Sequence, residues 1–129
     1  MAKPSIFQLD QVEWVDERRE ADPAPAEMIA AAERSGARRK RLAQGEGGYF
    51  SQYTTMPAGF EVPLHSHSHD ELFIVLSGGC RLSTDGQEVD LRARDSAALA
   101  AGHPYGFVVG KEGIEFMVVR PGDAKSNFG

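Results

Sequence analysis

The chain has one cysteine, Cys80, among its 129 residues. A single cysteine excludes an internal disulfide and favours a reducing compartment. No run approaches the roughly 20 apolar residues that a membrane-spanning helix needs, and no apolar stretch follows Lys3 as a secretory signal would require. These absences predict a cytoplasmic protein with no membrane partner.

Other signatures of common functions are also missing. The sequence contains no Gly-rich phosphate loop, no nucleophile elbow and no Cys-x-x-Cys pair. Its net charge is −5, although five basic side chains fall between residues 34 and 41. A nucleic-acid-binding domain is expected to be basic throughout and to carry interleaved exposed aromatics. The basic segment is therefore interpreted as a solvated helix end and strand edge, and no nucleic-acid partner is expected.

From Arg39 onward, short apolar runs alternate with Gly, Pro and Asp-Gly, which is typical of an all-β protein. The dipeptide Asp85-Gly86 is a strong hairpin signal. We predict about nine short strands, which indicate a small barrel over residues 39–121. The predicted strands are Arg39–Ala43, Tyr49–Met56, Glu61–His67, Glu71–Leu76, Cys80–Thr84, Gln87–Leu91, Ser96–Leu99, Gly106–Val109 and Ile114–Arg120.

The first 38 residues are too short for a core of their own and are predicted to form an arm and one short helix of the same domain. Asp22 is the expected helix cap, and the strong helix formers of Ala26–Arg34 follow it. Met28, Ile29 and Ala32 form one apolar stripe on that helix. Residues 122–129 are predicted to be a C-terminal tail.

Three of the four histidines lie within five residues of one another, just before an apolar run. Successive side chains of a strand alternate between its two faces, so His65 and His67 are expected to point the same way. A short bend then brings Glu71 to the same place. Two neutral imidazoles and one carboxylate suit a divalent transition metal ion such as Fe, Mn, Ni or Zn.

The pattern Gly59-x5-His65-x-His67-x3-Glu71-x6-Gly78 resembles the first motif of the cupin superfamily at every defined position. This resemblance implies a double-stranded β-helix, or jelly-roll, barrel of the small single-domain kind. It also implies one metal ion inside the barrel, with His65, His67 and Glu71 as ligands.

The second cupin motif is matched in part. Arg94 stands in place of its first Gly, Asp95 is kept, Ala100 replaces the Pro, and Gly102 is kept. Tyr105 stands where the fourth metal ligand, a histidine, is expected.

Three roles are open for Tyr105: a phenolate ligand, a hydrogen-bond donor or acid beside the metal, or a plug that fills the pocket. We favour the second, because His65, His67 and Glu71 already form a three-ligand site. His103 is an alternative fourth ligand. His69 is expected in the bend near the mouth of the site, and not as a ligand.

We therefore predict a metal-dependent enzyme that acts on a small organic molecule by dioxygenase, isomerase or lyase chemistry, with Glu71 and Tyr105 as catalytic residues. The alternatives are a ligand-binding or sensor barrel without turnover and, less favoured, a metal-free structural barrel. A homodimer is also expected, in which an N-terminal arm with apolar side chains crosses to the partner. Those side chains are Ile6, Phe7, Val12 and Trp14.

Overall fold

The computed structural model describes residues 3–20, 23–122 and 126–127. Within these ranges it contains one α-helix and eight β-strands. They are α1 (Ala26–Ser35), β1 (Arg38–Gln44), β2 (Tyr49–Met56), β3 (Glu61–His67), β4 (Glu71–Thr84), β5 (Gln87–Arg92), β6 (Ser96–Leu99), β7 (Tyr105–Pro121) and β8 (Ser126–Asn127). The predicted helix cap Asp22 lies outside the described residues.

The strands form an antiparallel jelly-roll barrel, which confirms the predicted fold class. Its main path runs β1-β2-β7-β3-β8, while β4 pairs with β5, β6 and β7. The short β8, which lies within the predicted C-terminal tail, pairs with the end of β3 through Ser66 and His67. The histidine-bearing strand therefore has β7 and β8 as its neighbours.

Two predicted strand breaks are wrong. The glycine-containing segments 77–79 and 110–113 were expected to separate strands, but β4 and β7 each run through them without interruption. Glycine in a strand interior often marks a bulge and not a turn, and that is its role here. The two long strands pair with each other over almost the whole of β4.

The pairing of the two long strands is irregular at two successive points. The β4–β7 register shifts between Val75 and Ser77 and again between Gly78 and Cys80. Gly78 has φ +68°, and a Cβ at this position would lie 2.0 Å from the carbonyl oxygen of Gly113. Only glycine allows this approach, and it lets both strands bend around the barrel together.

The core lies between the two faces of the barrel and is rich in aromatic rings. Phe73 is fully buried, and its ring centroid lies 4.6 Å from that of Phe116 and 5.5 Å from that of Phe107. Cys80 is buried in the same cluster. Its thiol has a pKa raised to about 11, chiefly by burial, so it remains a neutral core side chain.

The N-terminal residues pack against their own barrel. The backbone N–H of Val15 donates to the carbonyl of Arg39 over 2.9 Å. The guanidinium of Arg38 lies over the ring of Trp14, 4.1 Å from the ring centroid. The ring centroids of Trp14 and Tyr53 are 6.2 Å apart. Among the described residues no helix is long and apolar enough to cross a membrane.

Candidate metal centre and its cavity

The barrel encloses a cavity of about 420 Å³, which is within the range of small-molecule sites. The apolar stripe predicted on α1, formed by Met28, Ile29 and Ala32, lines one side of it. Phenylalanines of the core line the middle. Polar groups from β3, β4 and β7 line the inner end, where the histidine cluster lies.

His65 and His67 face this cavity from β3, as strand alternation predicts. Their ring centroids are 5.0 Å apart, and both side chains are buried. The Nδ1 atom of His65 lies 2.9 Å from the carbonyl oxygen of Pro63. A donated Nδ1–H bond to this carbonyl fixes the tautomer, so that Nε2 is the atom suited to bind a metal.

Glu71 opens β4 at the same end of the cavity. Its Oε2 lies 3.5 Å from Nε2 of His67, and its side chain is almost fully buried. Burial, followed by repulsion from His65, lowers the pKa of His67 to about 4. His67 is therefore neutral near pH 7, which is the form that binds a metal.

His69 lies in the bend, as predicted, but its position relative to the cluster was not foreseen. The side chain is only 9% exposed, and its ring centroid lies 5.0 Å from that of His67. Ligand atoms of His67, His69 and Glu71 all lie within 4.8 Å of one another. The geometry thus adds His69 to the candidate ligands, with His65 alongside.

Tyr105 is buried between two of the predicted ligands. Its hydroxyl donates to Glu71 Oε2 over 2.8 Å and lies 3.0 Å from Nε2 of His67. Burial and the negative charge of Glu71 raise the pKa of the phenol far above its ordinary value. The phenol is therefore protonated in this arrangement, as its predicted role as a hydrogen-bond donor requires. His103, by contrast, is exposed in the loop before β7.

Arg120 belongs to the site but was not singled out from the sequence. It follows Phe116 and Val118 at two-residue spacing, and all three line the cavity. Its Nη1 lies 3.4 Å from Glu71 Oε1, and its guanidinium lies 4.0 Å from the ring centroid of Phe50. The available signal was the alternation of side chains along β7. It places Arg120 on the same inward face as two apolar core residues.

Ion pairs connect the N-terminal segment to the rim of the cavity. Arg39 donates to both carboxylate oxygens of Glu17 and, over 3.0 Å, to Gln52. Arg41 pairs with Glu20. Part of the basic segment therefore faces carboxylates of its own chain, and these pairs hold residues 17–20 against β1.

The described side chains fit a metal ion. Neutral imidazoles and a carboxylate form a donor set for a divalent transition metal, and they converge in a buried pocket. Nδ1 of His67 is buried and has no hydrogen-bond partner among the described residues. A buried polar atom of this kind is costly unless a further partner binds it.

Comparison with known proteins relates this chain to one family. A family model described as a cupin domain matches residues 52–123, more than half of the chain. This range includes the whole histidine cluster and Tyr105. No curated protein matches the chain in sequence.

Solved structures share its fold. KdgF from a Halomonas species superposes with a TM-score of 0.69 at 18% identity and covers 92% of this chain and 94% of its own. The polyketide cyclase RemF from Streptomyces resistomycificus has a TM-score of 0.71 at 17% identity, over 97% and 84% of the two chains. A sugar phosphate isomerase of the cupin superfamily from Silicibacter pomeroyi has 0.70 at 25% identity, over 91% and 75%.

Proposed function

Because the chain belongs to the cupin family, we propose that it is a metal-dependent enzyme acting on a small organic molecule bound in the barrel. One observation carries the proposal: buried imidazoles and a carboxylate converge at the inner end of a cavity of about 420 Å³. The similar structures include proteins named as a cyclase and an isomerase. We keep small-molecule chemistry of the dioxygenase, isomerase or lyase kind as the proposal for this cavity.

We infer one divalent transition metal ion, held by His65, His67 and Glu71, with His69 as the alternative third ligand. When bound, such an ion supplies Lewis-acid chemistry to oxygen atoms of a substrate. Glu71 would hold the ion and accepts the hydrogen bond of Tyr105, whereas His65 is oriented by the Pro63 carbonyl. The chain's own contribution is thus a preorganised, buried set of donors.

Tyr105 is the proposed acid or hydrogen-bond donor. Its proton is held at the hydroxyl by burial and by Glu71, and the side chain lines the cavity. A substrate oxygen placed beside Glu71 would lie within reach of this donor. Phe107, on the same face of β7, provides an apolar wall beside it and helps exclude water.

The proposal is tested by measuring metal in protein purified without chelator and by titrating metal-free protein with Zn²⁺, Mn²⁺, Ni²⁺ and, without oxygen, Fe²⁺. We expect about one ion per chain with at least one of these metals. A sensor or ligand-binding barrel is the second candidate. It is favoured by the hydroxyl of Tyr105, which contacts Nε2 of His67 and Oε2 of Glu71 and so pairs these two atoms without an ion. Protein that takes up none of the four metals would reject the metal-dependent enzyme.

Replacing Tyr105 by Phe separates a donor from a ligand. We expect Y105F to keep the full metal content, because the phenol bonds to Glu71 and need not bind the ion itself. Turnover of any substrate found should fall roughly 10²–10⁴-fold, the usual contribution of a positioned acid. Metal content is measured by mass spectrometry on matched preparations. A Y105F protein that loses its ion would make the tyrosine a ligand and contradict the donor role.

A homodimer remains part of the proposal. Trp14 packs on its own chain, but Ile6 is 83% exposed and available to a second copy. The outer face of β4 offers another apolar surface. There Leu72 is 41% and Leu76 is 46% exposed.

We expect the full chain to be dimeric in light scattering and a chain truncated before residue 20 to be monomeric, because the truncation removes the arm. Circular dichroism must show that the shortened protein keeps its β-structure. A truncated protein that stays dimeric would exclude the arm as the interface. The surface formed by Leu72 and Leu76 would then be the candidate interface.

A further inference from the structure

Arg120 is a buried cation that lines the cavity, and not all of its N–H groups are hydrogen-bonded within the described residues. Its side chain is 14% exposed, and its contact with Glu71 is long, at 3.4 Å. Its Nε is buried and has no hydrogen-bond partner among the described residues. Buried polar groups are normally paired, so this atom indicates that something else binds here.

Three other arginines line the cavity and differ in this respect. Arg38 lies over the ring of Trp14. Arg39 is paired with Glu17 and Gln52, and Arg41 is paired with Glu20. The only carboxylate bonded to Arg120 within the described residues is Glu71, which also accepts from Tyr105 and is a proposed metal ligand. A metal ion at Glu71 would weaken this pairing and leave the inner end of the cavity positively charged.

The surroundings of Arg120 define the rest of the ligand. Phe73, Phe107 and Phe116 line the same cavity and form a continuous aromatic wall. The ring centroid of Phe50 lies 4.0 Å from the guanidinium. Such a site has room for a flat apolar body, with one anionic group directed at the arginine.

We propose that Arg120 is the specificity-determining residue that binds the carboxylate of a small organic acid with an apolar, planar body. The Nε and Nη groups form a fork that matches the two oxygens of a carboxylate. The acid would lie with its carboxylate beside Glu71 and its body along the phenylalanines. This inference names the substrate class of the proposed function and rests on the same cavity.

The test uses two acids, benzoate and phenylacetate, with benzamide and phenylacetamide as neutral counterparts of the same shape and acetate as an acid without an apolar body. Binding is measured by calorimetry and by NMR, on metal-free and metal-loaded protein. We expect at least one aromatic acid to bind saturably, and its amide and acetate to bind at least about tenfold more weakly.

Variants of Arg120 then locate the carboxylate. R120M should weaken binding of the acid by about tenfold to a hundredfold, the usual effect of losing a charged hydrogen bond. Binding of the amide should remain unchanged. R120K, which keeps the charge but loses the fork, should fall between R120M and the parent. Arg81, an exposed arginine paired with Asp90, supplies the matched control R81M, which should bind like the parent.

Three results would overturn the proposal: no saturable binding of either acid, equal binding of acid and amide, or undiminished binding by R120M. Should R120M fail to fold, R120K and R120Q provide the same comparison. Metal content is measured on every sample. An acid that binds through Arg120 to a protein unable to hold metal would reject the enzyme proposal and keep this one. If the protein binds metal but R120M binds the acid as the parent does, this inference is rejected and the enzyme proposal is kept.

Discussion

H67A should lose its metal ion, with affinity reduced by at least about a hundredfold. Residues that merely support a ligand already contribute about 10–100-fold to metal affinity, and His67 belongs to both possible ligand sets. Its Nε2 lies 3.5 Å from Glu71 Oε2, and its Nδ1 has no other hydrogen-bond partner among the described residues. Metal content after dialysis and titration of metal-free protein with Zn²⁺ measure the effect.

The remaining histidines supply a control and a test of the third ligand. H103A is the matched control, because His103 is exposed in its loop, and it should bind metal like the parent. H65A and H69A decide the third ligand, and we expect H65A to cause the larger loss. If H69A instead abolishes binding while H65A retains it, the close group of His67, His69 and Glu71 is the true ligand set. Full binding by H67A would contradict both sets.

F73A should reduce the free energy of unfolding by about 3–5 kcal/mol, the usual result of emptying a buried phenylalanine site. Phe73 is fully buried, and its ring is stacked on Phe116. Its neighbours lie on different strands and already border a cavity, so they cannot collapse inward to fill the space. The loss is a large part of the roughly 5–15 kcal/mol that stabilises a typical domain.

Urea unfolding, monitored by circular dichroism, measures the loss of unfolding free energy. The melting temperature should fall by roughly 10 °C or more. The adjacent Leu72 gives the control. It points outward and is 41% exposed, so L72A should cost less than about 1 kcal/mol. Equal losses in the two variants would show that the inward and outward faces of β4 are assigned incorrectly.

The local part of the site could be read from the sequence. His65 and His67 share a face because strand side chains alternate, and this holds wherever the strand lies in the molecule. Glu71 follows after a bend of three residues, too short to carry it elsewhere. The stripe of Met28, Ile29 and Ala32 was equally local, because it depends only on helical spacing. Each of these predictions needed nothing beyond neighbouring residues.

Interruptions within strands were harder to interpret. Gly78 and Gly113 looked like turn residues, and a turn or a bulge uses the same positive φ. The difference depends on whether a partner strand lies alongside. Here Gly78 lies against the carbonyl of Gly113, and the pairing of β4 with β7 continues on both sides of this point. Long-range pairing decided between two structures that the local sequence favoured equally.

Tertiary structure alone decided what surrounds the predicted ligands. It placed Arg120 beside Glu71, 49 residues earlier in the chain, and the hydroxyl of Tyr105 between Glu71 and His67. It also brought His69 against His67 when the bend folded inward. Spacing along a strand determines which way a side chain points, but only the closure of the barrel determines which side chains meet, because those partners come from strands far apart in sequence.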